Sequence, residues 1–331
     1  MKYHVYGIGN ALVDKEFEVS EAFLAENGIE KGLMTLIEED QLSSLLANLK
    51  ENFGLKKRAG GGSAANTIVA ISQLGGKTFY ACKVADDETG DFYMKDLAIA
   101  GVTTKLDQIK GDGITGKCIV MVTDDAERTM NTYLGITSDF SVDDLHIDDL
   151  INSEFLYIEG YLVTSDVSRN AALEARKIAK QNNVKTAFTF SDPAMVTYFK
   201  DGVGEIIGDG VDVLFCNEEE ACTYTGKTDL HDAITELQKL TNKLVVTQGN
   251  KGAMVFSDGN KVDIEANKVT AIDTNGAGDM FAGAFMYGLT QGMSDKDAGM
   301  LASESAARTV ATFGARLEKE VLQSVLANYS N

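Results

Sequence analysis

The most informative stretch of this chain is Asp273-Thr274-Asn275-Gly276-Ala277-Gly278-Asp279, and the apolar run Met280-Phe281-Ala282-Gly283-Ala284-Phe285 follows it directly. The glycines allow the backbone to approach a ligand closely, and the apolar run predicts a helix that begins beside them. The first turn of a helix has N–H groups without an intrahelical acceptor. The stretch therefore predicts an anion site built from main-chain amides.

Two carboxylates flank this predicted anion site, and an acid in this place suits phosphoryl transfer, in which it takes a proton from the attacking hydroxyl. Asp273 precedes the glycines and could cap or brace the loop. Asp279 lies in the first turn of the helix, beside the bound anion, and is our candidate for the base. The helix dipole predicts a lowered pKa for Asp279.

The charge balance limits the possible partners. The 331 residues include 50 acidic and 30 basic side chains, for a net charge of −20. A charge of this sign argues against nucleic acid and against anionic membranes as partners. No apolar run approaches the roughly 18 residues of a membrane span, and the N-terminus lacks a signal-peptide pattern, so we expect a cytoplasmic protein. The four cysteines contain no C-x-x-C pair, which argues against a zinc site.

Strands alternate with helices over most of the chain, and from about residue 153 the alternation is regular. This pattern predicts a mostly parallel sheet that is covered by helices on both faces. Two β-rich tracts, at about 11–37 and 103–137, interrupt the alternation and predict a small β-sheet lid. Neither a linker nor a repeat divides the chain, so we expect a single domain over 1–331.

Ligands of parallel α/β sheets bind at the carboxyl ends of the strands. The polar residues and glycines at predicted strand ends are Asn10, Gly61, Glu159, Asp192, Asn217 and Gly249. Asn66 lies one turn into a small, apolar helix, where an amide has poor propensity, and this favours a ligand contact. Asp14 is either a turn residue or a carboxylate that binds substrate hydroxyls.

A possible nucleotide and metal site follows a later strand. Asn217-x-x-Glu220 is either a helix capping box or a pair of groups near a hydrated Mg²⁺. Three consecutive glutamates, 218–220, would repel a nucleotide without a cation, which favours the metal interpretation. Thr247-Gln248-Gly249 could contact a nucleotide or form a plain turn.

Other classes of protein fit less well. Gly7-x-Gly9 begins like a dinucleotide fingerprint, but Leu12 stands where the third glycine is required. Neither a Walker A motif nor a protein-kinase signature is present. A non-catalytic sensor of nucleotides or sugars would be expected to lack the carboxylate that takes the proton, and Asp279 is present.

Two motifs together resemble the signatures of the ribokinase-like (PfkB-type) carbohydrate kinase family: Gly61-Gly62-Ser63-Ala64-Ala65-Asn66 and the 273–279 stretch. The resemblance spans nearly the whole chain. It implies an α/β fold, a three-layer ribokinase-like sandwich with a mostly parallel central sheet and a small β-sheet lid. It also implies ATP as the donor, Mg²⁺, and a primary hydroxyl as the acceptor.

The resemblance also assigns roles to residues. The catalytic set that it implies consists of Asp279, Gly276, Ala277 and Gly278, the last three forming an anion hole. The substrate-binding residues are Asn10, Asp14, Gly61, Gly62, Asn66 and Glu159. The nucleotide-binding residues are Asn217, Thr247, Gly249, Thr274 and Asn275. Asn217 and Glu220 organise Mg²⁺, mostly through water.

Within the family the chain is most similar to the adenosine kinases, which share the segments 9–14, 247–249 and 273–276. This favours a ribose-containing nucleoside, adenosine, as the small-molecule acceptor. Adenosine kinases typically have a small residue where Glu159 stands, and some sugar-specific members use an acid nearby. A free sugar such as ribose or fructose is therefore the alternative. The expected assembly is a monomer or a homodimer joined through the lid.

Overall fold

The computed structural model describes residues 2–107 and 111–329. Within these residues the strands are β1 (Tyr3–Ile8), β2 (Leu12–Glu18), β3 (Met34–Leu36), β4 (Lys57–Gly61), β5 (Thr78–Ala81), β6 (Gly116–Val122), β7 (Arg128–Tyr133), β8 (Ser153–Glu159), β9 (Lys185–Thr189), β10 (Val211–Asn217), β11 (Thr241–Thr247), β12 (Ala253–Ser257) and β13 (Asn260–Ile264). The α-helices are α1 (Glu21–Glu26), α2 (Glu39–Asn52), α3 (Ser63–Gln73), α4 (Glu88–Ile99), α5 (Ile147–Leu150), α6 (Asp166–Gln181), α7 (Pro193–Tyr198), α8 (Lys200–Ile207), α9 (Glu218–Thr225), α10 (Leu230–Leu237), α11 (Ala277–Thr290), α12 (Asp295–Val310) and α13 (Lys319–Ala327).

The larger sheet has the strand order β13-β12-β11-β10-β9-β8-β1-β5. Neighbouring strands are parallel from β11 to β5, and only β12 pairs antiparallel, with β11 on one side and β13 on the other. The expectation of a mostly parallel α/β sheet is confirmed. The carboxyl ends of the parallel strands lie at one edge, which is where the candidate site is found.

Helices cover both faces of this sheet, and β8 shows why. Phe155 and Tyr157 point into a core formed with α3, α4, α11, α12 and α13. Leu156 and Ile158 point into a second core, formed with α5 to α10. Alternate side chains of a strand enter opposite faces, so a strand that is buried on both faces is apolar throughout. The result is three layers, as expected.

The second sheet is smaller, with the order β3-β7-β6-β2-β4. Helices α1 and α2 cover one of its faces, where Phe17 and Ile119 pack against Leu42 and Leu49. Strand β4 lies outside the two ranges expected for the lid, because Lys57-Arg58-Ala59-Gly60-Gly61 lacks the apolar alternation of a strand; only its antiparallel pairing with β2 makes it one. Residues 108–110, in the second expected range, lie outside the described residues.

Across the described residues, every helix falls short of the length or the apolar character that crossing a bilayer requires.

Candidate active site

The start of α11 forms the floor of the candidate site. Gly276 caps this helix in the left-handed region, at φ 71°. A Cβ atom at Gly276 would lie 2.5 Å from the Cβ of Ala315, so no other residue fits there. A Cβ atom at Gly278, in contrast, would meet no atom within 4 Å, because this residue faces open space. The first-turn amides of α11 therefore have room for a ligand beside them.

Asp273 braces the loop before the helix. One of its carboxylate oxygens accepts from the Asn275 amide at 2.8 Å, and the other accepts from the Gly314 amide at 2.8 Å. The side chain is fully buried. Because both oxygens accept from main-chain amides, one in this loop and one after α12, Asp273 is poorly placed to receive a proton from a substrate.

Asp279 lies at the bottom of the pocket, and two side chains of α3 hold it. Its Oδ1 accepts from Ser63 Oγ at 2.7 Å, and its Oδ2 accepts from Asn66 Nδ2 at 2.9 Å. Burial raises the pKa of Asp279, while these two hydrogen bonds oppose the rise. The prediction of a lowered pKa is therefore wrong, since the loss of solvent outweighs both the helix terminus and the hydrogen bonds.

A second hydrogen bond fixes the orientation of Asn66. Its Oδ1 accepts from Arg316 Nε at 2.8 Å, and Arg316 also forms an ion pair with Asp96. The amide nitrogen of Asn66 must then face Asp279. The polar residue that stood out in an apolar helix thus contacts the candidate base directly.

The pocket lies between the two sheets and has about 760 Å³ of empty space, part of which is open solvent. Predicted residues in its wall are Asn10, Asp14, Gly62, Asn66, Glu159, Thr274, Asn275, Gly276, Ala277, Gly278 and Asp279. The small sheet and the segments next to it add a mainly apolar side, formed by Leu12, Met34, Leu36, Cys118, Met130 and Leu134. The pocket is therefore polar at the α11 end and mainly apolar at the small sheet, which also contributes Asp14, Arg128 and Thr132 to the wall.

Asp14 on β2 and Gly61 on β4 are diagonal neighbours, since Asp14 is opposite Ala59 and Gly61 is opposite Leu12. A Cβ atom at Gly61 would lie 2.1 Å from Asp14 Oδ1, so the glycine makes room for the carboxylate. Asp14 is 6% exposed, and burial raises its pKa well above the usual range. Gly61 therefore contributes to the site because it leaves space for the Asp14 carboxylate, and it does not itself line the pocket.

Glu159, at the end of β8, is fully buried, and both of its oxygens have main-chain partners. Oε1 accepts from the Asn10 amide at 2.7 Å, and Oε2 accepts from the Ala64 amide at 2.6 Å. Burial raises the pKa of Glu159 to about 8, against the opposing effect of these amides.

Of the residues expected at the nucleotide, only Thr274 and Asn275 lie in the wall of this pocket. Asn217 and Thr247 are neighbours in the register of β10 and β11, and Gly249 follows at φ 56°. Asn217 and Glu220 form a reciprocal capping box, with bonds of 2.8 and 2.9 Å. Burial raises the pKa of Glu220 to about 8. In the described part of the chain, no group of three acidic, histidine or cysteine side chains forms a metal cage.

Arg128 is not among the residues predicted from the sequence, although it lines the pocket. It begins β7, directly after the turn of the β6–β7 hairpin, and its Nη1 lies 3.3 Å from Met130 Sδ. Its charge interacts with Asp192 and Asp279. The sequence feature that could have indicated Arg128 is its position as the single basic residue directly after the acidic run Asp124-Asp125-Ala126-Glu127. Ser63 is also absent from the predicted site, although it contacts Asp279.

This combination of fold and site is that of a phosphotransferase. The chain belongs to the pfkB family of carbohydrate kinases, whose model matches residues 33–321. The protein is therefore a kinase that acts on a hydroxyl group, and ATP as its phosphoryl donor follows from the family.

Individual relatives cover almost the full chain. The crystal structure of adenosine kinase from Sinorhizobium meliloti is 33% identical and superimposes with a TM-score of 0.94 over 100% of both chains. The structure of a probable sugar kinase protein from Rhizobium etli CFN 42 is 30% identical, with a TM-score of 0.93 over 99% of both chains. The adenosine kinase of Dictyostelium discoideum is 30% identical over 86% of this chain and 87% of its own length.

Proposed function

We propose that this protein is a nucleoside kinase that transfers the γ-phosphoryl group of ATP to the primary hydroxyl of adenosine. The observation that carries the proposal is the division of the pocket into a polar end and an apolar side. The polar end has the carboxylates and amides that bind sugar hydroxyls. The apolar side, with Met34, Leu36, Met130 and Leu134, suits a flat heteroaromatic base.

Apolar walls in the pocket discriminate between acceptors. A base attached to ribose would bury the side chains of the small sheet, and this burial is favourable at about 25 cal/mol per Å². A free pentose would fill the polar end and leave these side chains facing water. The adenosine kinases among the relatives support the same choice.

The proposed chemistry centres on Asp279, which takes the proton of the attacking hydroxyl. The amides of 276–278 receive the transferring phosphoryl group, and Arg128 offsets the negative charge that develops on it. Asn275 supports this role, because its Nδ2 is buried without a hydrogen-bond partner among the described residues. A buried donor without a partner beside an anion site would be satisfied by an oxygen of a bound ligand.

Asp14, Asn10, Gly62 and Asn66 form the set proposed to bind the ribose. The Asp14 carboxylate lies in the pocket wall and is an acceptor for substrate hydroxyls. Thr247 and Gly249, at the end of β11, and Thr274 are proposed to contact the nucleotide.

Asn217 and Glu220 would hold Mg²⁺, mostly through water. The capping box uses Oε2 of Glu220 and leaves Oε1 outside it. One carboxylate with waters and phosphate oxygens fits the way Mg²⁺ binds in kinases. When bound, the ion neutralises charge on the phosphates.

The small sheet is proposed to act as a lid, and the protein to be a monomer. The face of the sheet away from the pocket is buried under α1 and α2 through Phe17, Leu42 and Leu49, so it is not free to pair with a second copy. Its edge strand β3 has only three residues, which makes it a poor template for edge pairing. Size-exclusion chromatography with light scattering should give about 36 kDa, close to the 35.6 kDa of the chain.

A free-sugar kinase is the second candidate. It is favoured by the likeness to the probable sugar kinase protein from Rhizobium etli and by the acid at Glu159. ATP consumption with adenosine, other nucleosides, ribose and fructose tests both. We expect kcat/KM for adenosine to exceed that for ribose by at least about 100-fold, or about 2.7 kcal/mol. Turnover of free sugars alone would refute the nucleoside assignment.

A matched variant shows whether the apolar side is responsible. Leu36 is 40% exposed in the pocket wall, so Leu36→Asn should fold normally. It should raise KM for adenosine by roughly 3- to 10-fold and leave kcat/KM for ribose unchanged, because only the base reaches this side.

A further inference from the structure

We infer that Glu159 is a positioning residue, which joins the backbone after β1 to the first turn of α3 and so fixes the side chains that hold Asp279. This inference deepens the proposed function and rests on it for the kinetic test. The contacts themselves are independent of which acceptor the enzyme uses.

The carboxylate connects two segments that are distant in sequence. The Asn10 amide donates to Oε1 at 2.7 Å, and the Ala64 amide donates to Oε2 at 2.6 Å. The Ala64 amide lies in the first turn of α3, where no intrahelical acceptor exists. A buried amide without an acceptor is costly, and each carboxyl oxygen of Glu159 provides an acceptor for one of these amides.

The space around the carboxylate is adapted to this contact. A Cβ atom at Gly9 would lie 2.6 Å from Glu159 Oε2 and 2.7 Å from the Cβ of Ala64. Glycine at position 9 and a small residue at position 64 therefore allow the carboxylate to enter between β1 and α3. The side chain is 0% exposed, as expected for a group fixed by its surroundings.

The first turn of α3, which Glu159 holds in place, also carries the side chains that position Asp279. Ser63 precedes Ala64 directly, and Asn66 follows within the same turn. These two side chains provide the hydrogen bonds to Asp279, at 2.7 and 2.9 Å. A displacement of this turn by a fraction of an ångström would misalign the base, and misplacement of about 1 Å costs roughly 100-fold in rate.

The competing role for Glu159 is direct contact with a substrate hydroxyl. The residue does line the pocket, and a carboxylate oxygen can accept more than one hydrogen bond. The two roles make different predictions for acceptors that lack single hydroxyls. Replacing a positioning residue lowers kcat by the same factor for every acceptor. Replacing a residue that contacts one hydroxyl has no further effect on an acceptor that already lacks this hydroxyl.

The test is Glu159→Gln, assayed with adenosine, 2′-deoxyadenosine and 3′-deoxyadenosine. The carboxamide presents an NH₂ group to one of the two amides, so a hydrogen bond is replaced by donor facing donor. We expect kcat to fall by about 10- to 100-fold, by the same factor for all three acceptors, with KM for ATP unchanged. A loss that disappears with one deoxy acceptor, or an unchanged kcat, would overturn the inference.

Two further variants keep the test decisive. Gly9→Ala retains the acid but displaces it, and we expect a similar fall in kcat should Glu159→Gln fail to fold. The double variant Glu159→Gln with Ser63→Ala should lose less than the product of the single losses, because both act through Asp279. A loss of kcat in the double variant equal to the product of the two single losses would contradict the view that Glu159 acts through the contacts to Asp279. Glu154→Gln on the same strand, far from the pocket, is the control and should keep full activity.

The wild-type protein separates this inference from the proposed function. If it phosphorylates ribose rather than adenosine, the nucleoside assignment fails, and the same comparison is made with ribose and its deoxy forms. Amide hydrogen exchange at Asn10 and Ala64 needs no acceptor. Exchange should be at least about tenfold faster in Glu159→Gln than in the wild type, and equal rates would refute the positioning role.

Discussion

At the scale of single residues, the environment of Asp279 decides what the site can do. Asp273 and Asp279 border the same glycines, yet the first is used in bracing the loop and the second faces the pocket. Burial raises the pKa of Asp279, which brings its basicity closer to that useful near neutral pH. Ser63 and Asn66 keep the carboxylate oriented while it remains accessible to a hydroxyl.

Replacing Asp279 should remove most of the turnover. We expect Asp279→Ala to lower kcat by about 10²- to 10⁴-fold, the usual contribution of a general base, while ATP affinity stays within a few-fold. Steady-state kinetics and calorimetric titration of a non-hydrolysable ATP analogue measure the two effects. Asp263→Asn, an exposed carboxylate on β13, is the control. Unchanged turnover in the Asp279 variant would refute its role as base.

The pH dependence of kcat should report the raised pKa of Asp279. The base must be ionised, so activity is lost as pH falls through its pKa, and the loss should begin above the range of an ordinary aspartate. The hydrogen bond from Ser63 lowers this pKa, so Ser63→Ala should move the acid limb to higher pH. Ser72→Ala on the same helix, where the hydroxyl bonds to Ala100, should not move it. A shift to lower pH would contradict the assigned contact.

At the scale of secondary-structure elements, the β6–β7 hairpin contacts the loop before α11. The carbonyl of Ala126, a residue at φ 66° in the hairpin turn, accepts from Thr274 Oγ1 at 3.1 Å and from its amide at 3.3 Å. The same hairpin carries Arg128 into the pocket. The contact therefore connects the position of the small sheet to the geometry of the anion site.

Removing this contact should slow the reaction without unfolding the protein. Thr274→Val keeps the side-chain shape but loses the hydroxyl, so the contact between the hairpin and the loop is weakened by about 1 kcal/mol, and we expect kcat/KM for the acceptor to fall roughly fivefold. Thr274→Ser should retain the wild-type value. Kinetics in both substrates test this. An unchanged kcat/KM for the acceptor in Thr274→Val would contradict the role of this contact.

The elements differ in how far their sequence predicts them. Helix α11 and strand β8 follow from apolar periodicity, because each is buried along most of its length. Strand β4 could not be predicted, since its pairing with β2 depends on a distant segment and its side chains are basic or small. Arg128 was missed for a related reason: its place in the pocket depends on where the hairpin docks, which local pattern does not specify.

At the scale of the whole molecule, buried carboxylates should make stability fall as pH rises. Glu16 is fully buried, and neither of its oxygens has a hydrogen-bond partner among the described residues. Burial raises its pKa to about 7; Lys57 opposes the rise and Asp273 adds to it. The folded state then binds the proton more tightly, so this contribution is fully present below pH 4.5 and is lost by about pH 7.

Glu16→Gln should remove this dependence. The variant should gain about 1–3 kcal/mol relative to the wild type between pH 5 and pH 8, since an uncharged amide avoids the burial of a charge. Urea unfolding at pH 5 and pH 8 measures the difference in free energy of unfolding between the variant and the wild type. Glu18→Gln, two residues further along β2 and exposed, is the control: it retains Glu16, so its stability should still fall between pH 5 and pH 8 as in the wild type. A stability difference that becomes smaller toward pH 8 would contradict the conclusion that the charge of Glu16 is buried.

The central claim is that one pocket, with Asp279 at its polar end and an apolar side on the small sheet, phosphorylates a nucleoside. The most direct measurement is a competition in one reaction, with equal adenosine and ribose and limiting ATP, and with products identified by mass spectrometry and ³¹P NMR. We predict adenosine 5′-monophosphate as the dominant product. Ribose phosphate as the dominant product, or phosphate on a secondary hydroxyl, would contradict the claim.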